Sequence, residues 1–349
     1  MTGLNAAPSP EDAARERDRK AEHIALALSP RNQLERSFFD DWAFDHVALP
    51  EIDMDAISLA TSFLGRRLQV PLLVSCMTGG TEEATRINRH LAIAAERTGV
   101  AIGVGSQRKA LEDPRLAASF QIRDLAPSVP LLANLGAVQL NYGYGIDECR
   151  RAVEMIGADA LVLHVNPLQE AIQPEGDRDF SGLLPRIGRI VEQLEVPVIV
   201  KEIGCGLSGR VGRALRDQGV TIVDSAGLGG TSWARIEAAR ARDREVGEMF
   251  ADWGIPTPRS IIELAAIGGL TVIGSGGVRN GVDAAKAMAL GADLVGSAQL
   301  YLEPATRSAD AAAAAIETVA RQLRIAMFCV GAADLGALRG TDLSERSNR

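Results

Sequence analysis

His164, Asn166, Gln169 and Glu170 follow directly on the apolar run ALVLHVN that begins at Ala160. Alternation along a strand places His164 and Asn166 on one face. An isolated histidine in such a run is ordinarily a satisfied core residue. Four polar groups together, followed by Pro174-Glu175-Gly176-Asp177-Arg178-Asp179, shift the balance toward proton handling or ligand binding. Glu170 offers one carboxylate to a hard divalent cation; magnesium typically takes one carboxylate, substrate phosphate oxygens and water. On spacing alone, a loop salt bridge within EGDRD accounts for the same charges equally well.

Three further sites are suited to anions. Gly276-Gly277 and Gly296-Ser297-Ala298 let backbone N–H groups approach a phosphate, and a helix opening near Asn280 would add its dipole. An ordinary tight turn is the competing explanation. Lys201, inside VPVIVKEIG, is costly to bury without an anionic partner. Glu202 is adjacent, but neighbouring strand residues face opposite ways, which disfavours a pair between them. The third, the basic cluster Arg19-Lys20-Ala21-Glu22-His23, reads as a solvated helix face or as a clamp on a phosphate from outside.

These residues need a scaffold that brings distant segments to one place. Eight β-branched or apolar runs recur from Val70, Val100, Pro130, Ala160, Val196, Val220, Leu270 and Ala292, separated by helix-like segments. They are near-continuously apolar, as in parallel strands covered on both faces. The expected fold is α/β, a (β/α)8 barrel, with chemistry at the C-terminal ends of the strands. Those ends carry the polar groups: Met77-Thr78-Gly79, Ser106-Gln107-Arg108, Asn134, His164, Lys201, Asp224-Ser225, Thr231 and Ser275. Asp113-Pro114 and Thr257-Pro258 look like an N-cap followed by proline at the first helical position. Gly157, Gly219 and Gly291 should end helices with positive φ. The echo of Gly157-Ala158-Asp159 in Gly291-Ala292-Asp293 hints at related half-barrels.

Four stretches follow from this pattern. Residues 1–18 are expected to be a disordered or helical extension without an apolar face, 19–69 to pack on the barrel and supply substrate contacts, 70–304 to make the barrel, and 305–349 to form a helical closure and tail. The long segment Gly227 to Pro256 after the sixth strand is expected to be a lid or substrate loop.

The chain has 349 residues, 46% of them hydrophobic, and a net charge of −8. That charge disfavours nucleic acid and anionic lipid, so any anionic ligand requires a local basic cluster. No apolar run reaches the roughly 18 residues of a membrane span, and the start lacks a secretory apolar stretch; a cytoplasmic location is expected. Cys76, Cys149, Cys205 and Cys329 form no CxxC, so reduced thiols are expected rather than a zinc site or disulfides.

With these residues assembled, the chain resembles the type 2, flavin-dependent isopentenyl diphosphate isomerases, relatives of the FMN-binding barrel oxidoreductases. The resemblance runs from about Arg19 to about Leu338. It is carried by RKAEHI (19–24), SCMTGGT (75–81), GVGSQRKAL (103–111), ANLGA (133–137), HVNPLQEAIQPEGDRDF (164–180), VIVKEIG (198–204), GGTSW (229–233) and SGGVRNGVDAAKAMALGAD (275–293). Cys76 and Cys205 fall at positions treated as variable, and the extension before Arg19 is longer than the family requires.

The resemblance implies interconversion of isopentenyl and dimethylallyl diphosphate by a 1,3-allylic proton shift, in isoprenoid biosynthesis, with reduced FMN as acid and base. It implies FMN phosphate at Gly276, Gly277, Val278, Ala298 and Gln299, and the remainder of the flavin at Met77, Thr78, Gly79, Ser106, Asn134, Lys201 and Thr231. Substrate diphosphate falls to Arg19, Lys20, His23, Ser106, Gln107 and Arg108, with His164, Asn166 and Gln169 near the reacting end. Gln169, His164 and Lys201 are the catalytic assignments, Glu170 the magnesium ligand, and NADPH the reductant. A homo-oligomer, tetramer or octamer, is also implied, with no nucleic-acid or membrane partner.

Three other readings make different predictions. A barrel oxidoreductase of the hydroxy-acid or dihydroorotate type would oxidise its substrate. A flavin-binding protein without catalysis would ignore magnesium. A nucleophilic Cys205 would make Cys205→Ala inactive.

Overall fold

The computed structural model describes residues 22–241 and 244–346, so the expected extension over residues 1–18 and the basic residues Arg19 and Lys20 lie outside the described residues. Each of the eight runs contains a strand: β1 (Leu72–Val74), β2 (Ala101–Gly103), β3 (Leu131–Gly136), β4 (Ala160–His164), β5 (Val198–Lys201), β6 (Ile222–Asp224), β7 (Thr271–Ser275) and β8 (Leu294–Ser297). Neighbours pair in parallel, and β8 returns to β1 through Val295↔Leu72, Gly296↔Leu73 and Ser297↔Val74, closing the barrel.

The pleat sorts each run into two cores. Leu73, Ala101, Leu132, Ala160, Val162, Ile199, Ile222, Ile273 and Leu294 pack together inside the barrel. Alternate residues such as Leu72, Val74, Ile102, Leu161, Val200 and Val295 belong to the outer core. Burial on both faces is why the runs lack polar alternation. The hairpin of Thr61–Phe63 and Arg66–Leu68 adds Phe63 and Leu68 to the inner core. Arg66 ties it to Asp159, Pro127 and Ser128, which precede β4 and β3, so the hairpin plugs the N-terminal end of the barrel.

Helices Glu82–Thr98, Ile146–Ile156, Leu183–Gln193, Gly209–Asp217 and Gly281–Ala289 cover the outside, and Ala309–Cys329 packs against the first and last of these. That closing helix is alanine-rich and starts at Ser308, whose side chain accepts from Ala311 N. Gly157, Gly219 and Gly291 adopt φ of 61°, 86° and 115° as expected. The short echo has a local meaning: Asp159 accepts from Leu131 N and Asp293 from Val272 N, each at 2.8 Å, so both aspartates tie their own strand to the start of the preceding one.

Asp113 caps the 3-10 turn Pro114–Ser119 by accepting from Arg115 N. Thr257 departs from its expected role: Pro256 is the N-cap of Thr257–Ala265, and Thr257 sits inside the helix. Its hydroxyl donates instead to the carbonyl of Gly276 at 2.7 Å, holding the loop after β7. The segment after β6 carries helices Trp233–Arg240 and Arg244–Met249. Trp42–Phe44 pairs antiparallel with Leu343–Glu345, joining the segment before the barrel to the one after it. Among the described residues no helix is long and apolar enough to cross a membrane, and all four cysteines are free.

Candidate active site

The inner apolar core ends in a polar layer produced by the same two-residue repeat. Asn134 lies two residues beyond Leu132, His164 beyond Val162, Lys201 beyond Ile199, Asp224 beyond Ile222 and Ser275 beyond Ile273. Strand register sets His164 beside Lys201 and Lys201 beside Asp224. Above this layer, at the C-terminal ends of the strands, opens a cavity of about 560 Å³.

Within the floor, Lys201 Nζ lies 3.8 Å from Asp224 Oδ2 and donates to the Glu202 carbonyl at 2.6 Å. The anionic partner expected for Lys201 is therefore on β6. The Glu202 carboxylate faces the other way and accepts from Ile203, Gly204 and Gly206 N–H groups. Burial pushes the Asp224 carboxyl upward, opposed by the Lys201 charge. His164 Nδ1 is 3.0 Å from Asn134 Oδ1. Burial, then the Lys201 charge, lowers His164 to about 4, so the imidazole is neutral at pH 7. Cys76 also borders the cavity; burial raises its thiol to about 11, which leaves it protonated and unreactive.

The glycine pair after β7 is forced by close backbone packing. Gly276 has φ 103°, and a Cβ there would lie 2.1 Å from the Gly227 carbonyl oxygen; at Gly277 (φ 68°) it would lie 2.4 Å from Gly229 C. The helix dipole expected near Asn280 is spent locally, because the Asn280 side chain accepts from Val282 N and Asp283 N, and Gly281 N donates to Gln322. The helix that opens toward the cavity is Gln299–Arg307 after β8, whose N-cap Ala298 provides no side-chain cap. Its leading N–H groups suit an anion.

Gln169, on the short helix Pro167–Ile172 after β4, is held at both ends. Its Oε1 accepts from Asn166 Nδ2 at 2.9 Å, and its Nε2 donates to Glu237 Oε1 at 2.8 Å. Glu237 is fully buried on Trp233–Arg240 and also meets Arg240 at 2.7 Å and His23 Nε2 at 3.2 Å. Burial acts to raise this carboxyl, but His23, Gln169 and Arg240 together hold it below its ordinary value. His23 in turn stacks edge-on against Trp233.

Glu170 is buried, its Oε1 accepting from Asn166 Nδ2 at 2.8 Å and its Oε2 from Asp177 N at 2.7 Å. No salt bridge joins the charges of EGDRD to one another among the described contacts. Arg178 donates to the carbonyls of Glu170 and Gln173, while Asp177 pairs with Arg108 and Glu175 with Arg240. The described residues include no group of three or more histidine, cysteine or acidic side chains placed to hold a metal. A cation at Glu170 would thus take a single carboxylate from the protein and draw on ligand and water for the rest, a donor set that fits magnesium.

Met77, Thr78, Gly79, Ser106, Asn134, Lys201, Thr231, Gly276, Gly277, Val278, Ala298 and Gln299, the flavin assignments, all border the cavity. So do His23, Arg108, His164, Asn166, Gln169 and Glu170. Gln107 is the one described site assignment that does not border the cavity. It is fully buried, its side chain spans Ala152 O at 2.8 Å and Asn134 N at 3.0 Å, and its own N–H donates to Asn134 O. It anchors β3 and has no group left for substrate.

Glu237 is the functional residue that sequence reasoning missed; its only mark there is a carboxylate on the buried face of WARIEAAR, in line with Ala234 and Ala238. The cavity also has unmet polar demand, since Ser75 Oγ and Asn166 Oδ1 are buried without hydrogen-bond partners. With the glycine cradle, the open helix end and the inward Lys201, these orphaned atoms fit a large, anionic, polar cofactor such as FMN.

Residues 183–345 match the FMN-dependent dehydrogenase family. An isopentenyl-diphosphate delta-isomerase of Xanthobacter autotrophicus is 53% identical over 332 residues, covering 93% of this chain and 97% of that protein. Those of Stutzerimonas stutzeri and Nostoc are 50% and 47% identical, covering 94% and 97% of this chain and 97% and 99% of theirs. Among solved structures, a mandelate oxidase variant with (S)-mandelic acid superposes with a TM-score of 0.65 at 20% identity, over 97% of this chain and 98% of that one, a likeness of fold alone. The near-full-length identity, joined to a glycine-lined barrel mouth suited to FMN, shows that the chain belongs to the flavin-dependent isopentenyl-diphosphate delta-isomerases.

Proposed function

We propose that this chain interconverts isopentenyl and dimethylallyl diphosphate by delivering a proton to the terminal alkene carbon and removing one from the carbon nearer the diphosphate, with no net redox change. The observation that carries this reading is the meeting, in one cavity, of a phosphate-ready glycine cradle, the cation Arg108 and the doubly held amide of Gln169. Reduced FMN, when bound, would supply the acid and base for an unactivated alkene, toward which ordinary side chains are poor acids.

The chain's own residues do the rest. Gly276, Gly277, Val278, Ala298 and Gln299 would hold the flavin phosphate, and Met77, Thr78, Gly79, Ser106, Asn134 and Thr231 the remainder. Lys201 would balance the negative charge of the reduced cofactor. Arg108, Ser106 and His23, with Arg19 and Lys20, would bind the diphosphate, and Glu170 would hold a magnesium ion, which would offset the diphosphate charge. Gln169 would orient the alkene through Asn166 and Glu237. His164, neutral at pH 7, offers hydrogen bonds rather than charge beside the reacting carbons.

NADPH as reductant, a cytoplasmic location and a tetrameric or octameric assembly belong to the same proposal. Anaerobic incubation of the purified protein with isopentenyl diphosphate, FMN, NADPH and magnesium should yield dimethylallyl diphosphate, with the flavin still reduced at the end. Net oxidation of the substrate would indicate a barrel oxidoreductase instead, and no product would refute the isomerase. Sedimentation of the holoenzyme and fractionation of cells read the assembly and the location.

A further inference from the structure

Asp177 stands between Arg108 and Glu170, the two groups that serve the diphosphate reading. Its Oδ2 accepts from Arg108 Nη1 at 2.9 Å and from the buried Gln139 Nε2 at 2.9 Å. Its backbone N–H donates to Glu170 Oε2 at 2.7 Å. The loop bringing it there is pressed against Glu170: a Cβ at Gly176 would lie 1.9 Å from the Glu170 carbonyl oxygen. Arg108 is anchored on its far side by Glu112, with Nε 3.2 Å from Oε1. Arg108, Gln139 and Glu170, all contacted by Asp177, line the cavity, and the Arg108 and Asp177 side chains are 37% and 17% exposed.

We propose that Asp177 is a latch on Arg108, a positioning residue that occupies the guanidinium edge until a diphosphate takes its place. This rests on the reading of Arg108 as a diphosphate ligand. A phosphate that takes the Nη1 donor displaces the Asp177 carboxylate from it, and the displaced carboxylate stays close to the incoming anion. The latch holds Arg108 aimed into the site between turnovers and weakens its grip on product. Because the Asp177 N–H also fixes the Glu170 carboxylate, the exchange occurs beside the metal ligand while leaving its side chain tethered.

The test uses FMN-loaded enzyme, inorganic pyrophosphate as probe and calorimetry in magnesium-free buffer. Asp177→Asn keeps an acceptor and the backbone N–H but removes the charge, so pyrophosphate should bind roughly three- to fivefold tighter, the scale of a partly exposed ion pair. Arg108→Gln should weaken binding by about tenfold or more. In the double variant the gain from Asp177→Asn should vanish. Unchanged or weaker binding in Asp177→Asn, with Arg108→Gln behaving as stated, overturns the latch alone. No effect of Arg108→Gln removes the diphosphate assignment of Arg108 and the latch with it. Should Asp177→Asn fail to retain FMN, Asp177→Ser, which also keeps the N–H to Glu170, is read by the same signs.

Discussion

Gln169 Nε2 donates to Glu237 Oε1 across 2.8 Å, joining the loop after β4 to the helix in the segment after β6. With Asn166 on the amide oxygen, the bond leaves the Gln169 side chain one orientation: NH2 toward Glu237, carbonyl toward Asn166. The same carboxylate meets His23 from the N-terminal segment and Arg240. Three separate parts of the chain therefore depend on one buried negative charge.

Glu237→Gln should accordingly lower kcat by about ten- to a hundredfold, because one neutral amide oxygen cannot replace two carboxylate oxygens shared by Gln169, His23 and Arg240, and its NH2 can turn Gln169 out of its orientation. KM for isopentenyl diphosphate should change less. Steady-state kinetics with pre-reduced FMN read both constants. Glu237→Gln and Gln169→Ala together should be no worse than Gln169→Ala alone, and full additivity would show that Glu237 does not act through Gln169.

Removing the charge of Glu170 separates metal binding from loop structure. Glu170→Gln retains an oxygen for Asp177 N or Asn166 Nδ2 but presents no anion. Magnesium titrations of turnover should shift to at least about tenfold higher concentration, with FMN content unchanged. An unshifted titration would place the metal elsewhere.

The barrel was readable from the chain because each strand's apolar run is a local property, and parallel strands buried on both faces need no long-range information to be recognised. The floor was partly readable for the same reason: Asn134, His164 and Lys201 continue the inward face of their own strands. Glu237 was not, because its partners Gln169 and His23 lie 68 and 214 residues away in sequence, and only the closed barrel makes them neighbours. Gln107 misled in the opposite direction. It lies between two cavity residues, Ser106 and Arg108, yet turns its amide into the protein toward Ala152. The dipole was assigned to the helix after Asn280, but Asn280 is so good an N-cap that it consumes the N–H groups a phosphate would need.

Gln107→Ala therefore belongs to stability rather than to substrate binding. It leaves the Asn134 N–H without its buried partner, at a cost of about 1–3 kcal/mol, and removes the tie to the Ala152 carbonyl on the helix Ile146–Ile156. Thermal melting should move down markedly, while KM for isopentenyl diphosphate, measured well below the melt, should change little. A large rise in KM with an unchanged melt would return Gln107 to the substrate site.

Gly276→Ala tests the phosphate cradle. A methyl group would meet the Gly227 carbonyl at 2.1 Å on a backbone with φ 103°, so the loops after β6 and β7 must separate. Strain of about 1–3 kcal/mol is expected, and the more telling effect is on the cofactor. The purified variant should retain little FMN by absorbance, and titrated FMN should bind at least about tenfold more weakly. Stoichiometric FMN at wild-type affinity would refute the cradle.

His164 makes the stability of the protein pH-dependent in a direction set by its lowered pKa of about 4. As pH falls below about 6.5, the unfolded chain gains a proton at this position, while the folded chain, with His164 buried next to Lys201, does not. The unfolded state then binds more protons, and stability is lost progressively down to about pH 4, below which the loss levels off. Above about 6.5 both states are neutral and the contribution is constant. Buried Asp224, whose carboxyl is raised, acts in the opposite sense, with stability that is present at low pH and lost as pH rises. The informative quantity is therefore the difference between wild type and His164→Asn, taken from urea midpoints at matched FMN occupancy between pH 4 and 8. Relative to the variant, wild type should weaken steadily from about pH 6.5 downward, whereas a pH-independent difference would mean that His164 accepts its proton as readily in the folded barrel as in the open chain.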